Sequence, residues 1–402
     1  MEGYNFPWSN LHELNLDWII RKIKDLEQRD PVPGYNVLAY GLVNDGLTDN
    51  SDAMDAMIME IGANNTIYFP SGNYIFSRRI EAENMSFIGD GKQVTFLHFT
   101  NGADGFKLDM DYIPGSNNSA CITIADMSIM QSDRGGKAIY IRTIANSDRA
   151  TQAPVLRDLK IDSSDGQKFL HGWKNGIELI NCNGAVIDRC SITGNITSNG
   201  EPDYWSDDGI KITSDTSPLG TDYKITDTMM YYWKTAVNAV WFEGLNFINN
   251  TIVGCDVGFR AGPFYDSPYH PLLIIADCHM NTASMGIRAE KLQEIIIVNN
   301  SLYQQLNPGT PNNFGAYILD CRDVIIGDNQ MDNLSVNNHF AVQLENCNRG
   351  IVHDNISQNK STGTELVAIN LVNSTNILVH HNMTAGIIND DGSNTIQDNI
   401  QV

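Results

Sequence analysis

Apolar and polar positions alternate in short runs along this chain, and the runs themselves repeat. From about residue 120 onward a unit of the form apolar-x-Asp/Asn-small-x-apolar recurs. It stands at Ala125-Asp126-Met127, Arg157-Asp158-Leu159, Ile187-Asp188-Arg189-Cys190, Ile248-Asn249-Asn250, Ala276-Asp277-Cys278, Val298-Asn299-Asn300, Gly327-Asp328-Asn329, His353-Asp354-Asn355 and His380-His381-Asn382. Successive intervals from Asn300 through Asn329 and Asn355 to Asn382 are 29, 26 and 27 residues. A second series precedes several of these units: Gly176-Ile177-Glu178-Leu179, Gly209-Ile210-Lys211-Ile212, Gly286-Ile287-Arg288-Ala289, Ala341-Val342-Gln343-Leu344 and Ala368-Ile369-Asn370-Leu371. Short alternating strands separated by Asn/Gly turns, repeating at this period, predict the coils of a parallel β-helix. One coil cannot bury its apolar face alone, whereas a stack of coils makes a continuous core.

The start of the chain reads differently. Leu16, Ile19, Ile23 and Leu26 fall at a/d spacing, with Asn15 as N-cap and Asp17 in the first turn, and predict a helix ending before Asp30-Pro31-Val32-Pro33-Gly34. Two heptads make a marginal helix alone, so it must pack on another chain or on its own body. Residues 35–41 read as a strand entering a turn. A short helix from Asp52 to about Ile61 is expected to bury Ala53, Ala56, Met57 and Ile61, and two strands flank the Pro70-Ser71-Gly72 turn. The domains are therefore an N-terminal segment, 1–33, and one solenoid, 34–402. The fold class is all-β, a parallel β-helix with a short N-terminal α-helix.

Composition sharpens this picture. Asn occurs 44 times in 402 residues, and Asn favours turns and ladders over helix interiors. The formal net charge of −22 excludes a chain whose main task is gripping nucleic acid. No apolar run reaches the roughly 18 residues that a membrane-spanning helix needs. Met1-Glu2-Gly3-Tyr4-Asn5 opens no basic-then-apolar leader, so no signal peptide is expected. The seven cysteines read as buried free thiols. Cys182, Cys321 and Cys347 hold equivalent places in the repeat and should stack near one another at a corner.

Gly41, Asp45, Gly46 and Asp49, a small helix, then Tyr68, Phe69, Pro70, Gly72 and Tyr74 form an ordered pattern. It resembles the opening of the right-handed β-helices of the pectate-lyase superfamily, where this segment caps the first coil. Asn10-Leu11-His12-Glu13-Leu14-Asn15-Leu16-Asp17-Trp18-Ile19-Ile20 is similar to the leader on tail proteins of phages of Gram-positive bacteria. Joined to a β-helix, it resembles phage tailspike and preneck-appendage proteins. That resemblance implies a homotrimer in the virion tail, made in the host cytoplasm, docked on a tail or collar protein through the N-terminal helix, and adsorbing to a host surface glycan or wall teichoic acid.

In each coil the residue between two inward apolar positions should face solvent, which gives a stacked row of Glu178, Lys211, Trp241, Arg260, Arg288, Tyr317, Gln343 and Asn370. Aromatic rings stack on sugar faces and cations pair with acidic groups. Lys211, Trp241, Arg260, Arg288 and Tyr317 are therefore the expected substrate-binding residues, with His270 from the aromatic insertion 263–271. His171-Gly172-Trp173-Lys174 reads as a second long aromatic loop. Asp207 and Asp208 sit at a turn-to-strand junction, within Ser206-Asp207-Asp208-Gly209-Ile210. This is similar to the Asp-Asp motif of polygalacturonase-type β-helix hydrolases, although no Gly-His-Gly and no Arg-Ile-Lys follow in the expected order. With Glu178 and Glu243 on adjoining coils, Asp207 and Asp208 are the expected carboxylates of a glycoside hydrolase. A lyase would instead pair Lys211 or Arg260, as base, with Ca²⁺ held by carboxylates. No metal-ligand set is identified, and hydrolysis needs no cofactor. The alternative is a receptor-binding or structural adhesin on the same scaffold, without chemistry.

Overall fold

A computed structural model describes residues 34–401, apart from 112–121, 145–152, 166–170, 199–202, 216–219, 263–271, 305–311, 334–337 and 360–366. The N-terminal helix, Cys121 and His270 lie outside the described residues. The chain winds into a right-handed parallel β-helix in which the 36 strands among the described residues join one continuous sheet and every described pairing is parallel. Each coil contributes strands to three faces. Sheet A holds 134–143, 172–180, 208–213, 235–239, the second half of 251–261 and their successors. Sheet B holds 186–188, 220–226, 242–248, 273–276 and 293–298. Sheet C holds 191–193, 229–231, the first half of 251–261, and 301–304.

Two devices make the repeat fold this way. The first is a left-handed residue at the B–C corner of each coil from Asp126 on: Asp126, Asp158, Arg189, Asp227, Asn249, Asp277, Asn299, Asp328, Asp354, His381 and Asp398 all have φ between 50° and 59°. Asn and Asp tolerate this conformation better than other side-chain-bearing residues, which explains the Asp/Asn at that place in the sequence unit. The second is the next residue, which turns inward. The side-chain oxygens of Asn300, Asn329, Asn355, Asn382 and Asn399 accept from the backbone N–H of Cys278, Asn300, Asn329, Asn355 and Asn382 respectively, at 2.9–3.1 Å. Their amide nitrogens donate to carbonyls inside the coil, as from Asn329 to Ile297 at 3.0 Å. The ladder satisfies the turn's buried backbone groups, which would otherwise be costly.

The interior is an apolar column from Val37 to Val379, with Trp173 and Trp233 its largest members. The first coil is covered by a helix, Ser51–Ile61, that buries Met54 and Met57. Ala56, expected inside, faces solvent, because Met54, Met57, Ile58 and Ile61 form the inward stripe at i, i+3, i+4 and i+7. Only Tyr35–Asn36 of the expected first strand is extended. Val37–Tyr40 forms a 3₁₀ turn because the Asn36 side chain accepts from Leu38 N–H and Gly41 closes it with φ 87°. Cys321 and Cys347 occupy adjoining coils, but Cys182 holds the same corner five coils earlier. The six described cysteines are all free and buried. Burial pushes the Cys182 thiol up to about 12, so it stays protonated. Among the described residues no helix is long and apolar enough to cross a membrane.

Candidate functional site

Sheet A bends in every coil at one small buried residue, Ala138, Gly176, Gly209, Ala236, Gly258, Gly286, Gly315 or Ala341. A Cβ on Gly209 would sit 2.7 Å from the Ala236 carbonyl oxygen and 3.1 Å from the Trp233 ring, so neither neighbour leaves room. The bend puts two residues per coil on the outer face, three apart in sequence. One outward column runs Lys107, Tyr140, Glu178, Lys211, Asn238, Arg260, Arg288, Tyr317, Gln343 and Asn370. The other includes Lys137 beside Asn175, then Asp208, Thr235, Val257, Met285, Phe314 and Phe340. Asn238, not Trp241, stands between Lys211 and Arg260. Trp241 turns the corner with φ 62°, after the strand has ended at Ala239. Glu243 lies round that corner on sheet B, paired with Thr221, and is not brought to the carboxylates of sheet A. Trp173 is not in a loop. It opens a strand and fills the core, its indole N–H 3.4 Å from the Ile129 carbonyl.

The centre of the face is Glu178. Its side chain is 5% exposed and lies between two ammonium groups, Lys137 at 2.5 Å and Lys211 at 3.0 Å. Burial pushes its pKa up, but these two cations outweigh burial and hold the carboxyl below its usual range. Asp208 is pushed the other way. Burial raises it, and the charges of Asp207 and Glu178 add to the rise against the opposing Asn238 amide and Lys211. The Asn238 amide donates to Asp208 at 3.2 Å. Asp207 points elsewhere: its carboxylate meets Lys174 at 3.1 Å and is about half exposed. Lys174 also donates to the Trp205 carbonyl at 2.6 Å and lies 5.0 Å from the Trp205 ring, with Arg134 5.3 Å from that ring. Arg134 is in turn paired with Asp203.

Two neighbouring carboxylates pushed apart in pKa suit one proton donor and one ionised partner. Around them stand Lys107, Lys137, Lys174, Lys211, Arg134, Arg142 and Arg288, each ion-paired with a carboxylate, so the face is a mixed network of charges rather than a cationic surface. Arg260 is exposed and makes no ion pair among the described residues. Lys137, Tyr140 and Trp205 were not expected in the site, although aligning Ile139-Tyr140-Ile141 with Ile177-Glu178-Leu179 would have added Tyr140. Among the described residues no group of three His, Cys, Asp or Glu side chains could hold a metal.

The sign of the Glu178 shift fixes a pH dependence. A carboxylate depressed in the folded state contributes stability above its unfolded value of about 4.3, lost as pH falls through the folded value. Glu178→Gln should therefore flatten the loss of melting temperature below about pH 4, read by thermal melts from acid to neutral pH. An unchanged acid limb would show that the two ion pairs contribute nothing.

These features define a right-handed β-helix of the pectate-lyase superfamily. Residues 34–260 match the family described as rhamnogalacturonase A/epimerase, pectate lyase-like, and the chain belongs to it. No functionally curated protein sequence matches the chain. Among solved structures, the A-module of the mannuronan C-5 epimerase AlgE6 of Azotobacter vinelandii is similar at 14% identity and TM-score 0.59, over 92% of this chain and 99% of that one. Gene product 12 of bacteriophage phi29, in its pre-mature form, is similar at 13% identity and TM-score 0.53, over 96% of this chain and 57% of that one. PfbA, a surface adhesin of Streptococcus pneumoniae, is similar at 14% identity and TM-score 0.51, over 87% and 84%.

Proposed function

We propose that the chain is a phage tailspike or appendage that binds an acidic host surface glycan or wall teichoic acid on sheet A and hydrolyses it there. The observation that carries this reading is the Asp208–Glu178 pair on the outer face of sheet A, raised and lowered in pKa, with Lys137 and Lys211 on either side of Glu178. Asp208 protonates the leaving oxygen as the glycosidic C–O bond breaks, while a water molecule bonds to the anomeric carbon and gives up its proton to solvent, from which Asp208 is reprotonated. Glu178 stays ionised, opposing positive charge that develops at the anomeric carbon and holding Lys137 and Lys211 toward acidic groups of the polymer. The sign for Asp208 is opposite to that for Glu178: its proton is lost as pH rises through its raised value, so cleavage should fall on the alkaline side. Incubation with purified wall polymer, followed by reducing-end or phosphate release across pH, tests this. Cleavage that rises steadily with pH contradicts Asp208 as the acid. A bacteriophage protein among the fold's neighbours supports the virion setting. An adhesin among them supports the alternative of binding without chemistry, as does the engagement of both Glu178 oxygens by lysines. Polymer bound but never shortened would establish that alternative.

The homotrimer belongs to the same proposal. On sheet B an outward stripe, Ile274, Ile296, Ile325, Ile351 and Leu378, runs along five successive coils. An apolar stripe with the coil period fits a parallel second copy, whose stripe has the same period. Ile296→Glu with Ile325→Glu should shift the assembled protein to monomer by light scattering, and an unchanged mass would exclude this interface.

A further inference from the structure

Near the end of the chain the B–C corner carries histidine where the other coils do not. His380 ends the strand Thr375–His380 on the outer side of sheet B, and His381 is the left-handed corner residue, φ 54°. The other left-handed residues at this corner, from Asp126 on, are Asp, Asn or Arg. Neighbours along a strand face opposite ways, but the turn at His381 brings its ring round to the side of His380. The two Nδ1 atoms stand 2.9 Å apart, with the ring planes at 83°. His353, in register with His380 one coil earlier, holds the pair in place. Its ring lies over Gly327, where a Cβ would come within 2.5 Å of two ring atoms, so the missing side chain makes the seat. His353 Nδ1 donates to Asp354 at 2.9 Å, and its ring stacks on that of His380, with centroids 5.5 Å apart and planes at 12°. Asp354 and Asp398 hold the corner position one coil to either side of His381.

We propose that His380 and His381 form a two-imidazole clamp for a divalent transition-metal ion of the copper or nickel class. Metal–imidazole bonds are about 2.0–2.1 Å long. Nitrogens 2.9 Å apart at that distance subtend about 90° at the ion. That is the cis angle of square-planar and octahedral shells, the square-planar one being diagnostic of Cu²⁺ or Ni²⁺. A tetrahedral zinc shell needs the nitrogens about 3.3 Å apart, so Zn²⁺ binds more weakly. In the free protein one Nδ1 carries a proton that the other accepts. The ion displaces it to Nε2 of the same ring, with no net release. No third His, Cys, Asp or Glu joins the pair among the described residues, so water completes the shell. The carboxylates of Asp354 and Asp398 favour a cation beside His381. Ca²⁺ and Mg²⁺, which take oxygen ligands, are not held. The clamp lies on sheet B and its corner, apart from Asp208 and Glu178 on sheet A, and does not depend on how that face is read.

The test is calorimetric titration of the full chain with Ni²⁺ and with Cu²⁺. The tightest site of the wild type should take one ion per chain, and His380→Asn and His381→Asn should each weaken it by at least about tenfold, the lower end of what even the loss of an outer partner costs a metal site. Asn at 381 keeps the left-handed corner, as Asn249 and Asn299 do at φ 58° and 57°, so the coil stays folded. The paramagnetic resonance spectrum of Cu²⁺ on the wild type should show two coordinated nitrogens, and on either variant fewer than two. His279→Asn, an exposed histidine on sheet C, is the control and should leave uptake unchanged. Unchanged affinity in His381→Asn and His380→Asn, loss of the site in His279→Asn, or no uptake of either ion by the wild type would overturn the proposal.

Discussion

Asp208→Asn should lower polymer cleavage by about 10²–10⁴-fold, the range contributed by a positioned general acid, with little change in melting temperature. Asn is nearly isosteric with Asp, and its side-chain oxygen can still accept from the Asn238 amide, which lies 3.2–3.3 Å from the two Asp208 oxygens. What it cannot do is release a proton to a leaving oxygen. Asp207→Asn is the control, because the Asp207 carboxylate turns to Lys174 and away from the Asp208 column, so its loss should cost far less. Reducing-end release by both variants, measured on the same polymer, separates the two. Full activity in Asp208→Asn would remove the acid from this account.

The second large effect is on stability. Asn329→Leu should cost about 3–6 kcal/mol, because several buried polar groups lose partners at once and each unsatisfied group costs about 1–3 kcal/mol. Asn329 accepts at 2.9 Å from Asn300 N–H and at 3.0 Å from the Asn300 amide, and its own amide donates to the Ile297 carbonyl and to Asn355. Leu fills similar volume but answers none of these groups. The loss should appear in denaturant melts as a lower midpoint. A variant within 1 kcal/mol of wild type (about the contribution of a single hydrogen bond) would show that the ladder is not a principal support of the turn.

Why some of this was legible in the chain and some was not follows from the same geometry. The 26–29-residue intervals between Asn300, Asn329, Asn355 and Asn382 reveal the coils, because an inward Asn follows the left-handed residue at each of these B–C corners. The row through Glu178, Lys211, Arg260, Arg288 and Tyr317 is equally visible, since each lies between two inward apolar residues. Trp241 slipped into that row because Val240-Trp241-Phe242 alternates as well as Val237-Asn238-Ala239 does. Only the pairing of Val237 with Phe259 distinguishes them. The second outward column, with Lys137, Phe314 and Phe340, was hidden by the bend at the small residue. There two outward positions stand three apart, and a period of two misses one of them. Ala56 was mistaken for core because Met54 and Met57 compete for the same helical face. The pKa separation of Asp208 and Glu178 depends on contacts between coils, from Lys137 and Asn238, that no local motif encodes.

The central claim is that the outer face of sheet A binds and cleaves a host glycan at Asp208 and Glu178. A crystal structure of Asp208→Asn soaked with an acidic hexasaccharide tests it most directly. The account predicts sugar rings on the outer face of sheet A, with a glycosidic oxygen within hydrogen-bonding distance of the residue 208 side chain. Sugar bound on sheet B or C, or across sheet A without reaching residue 208, would contradict it.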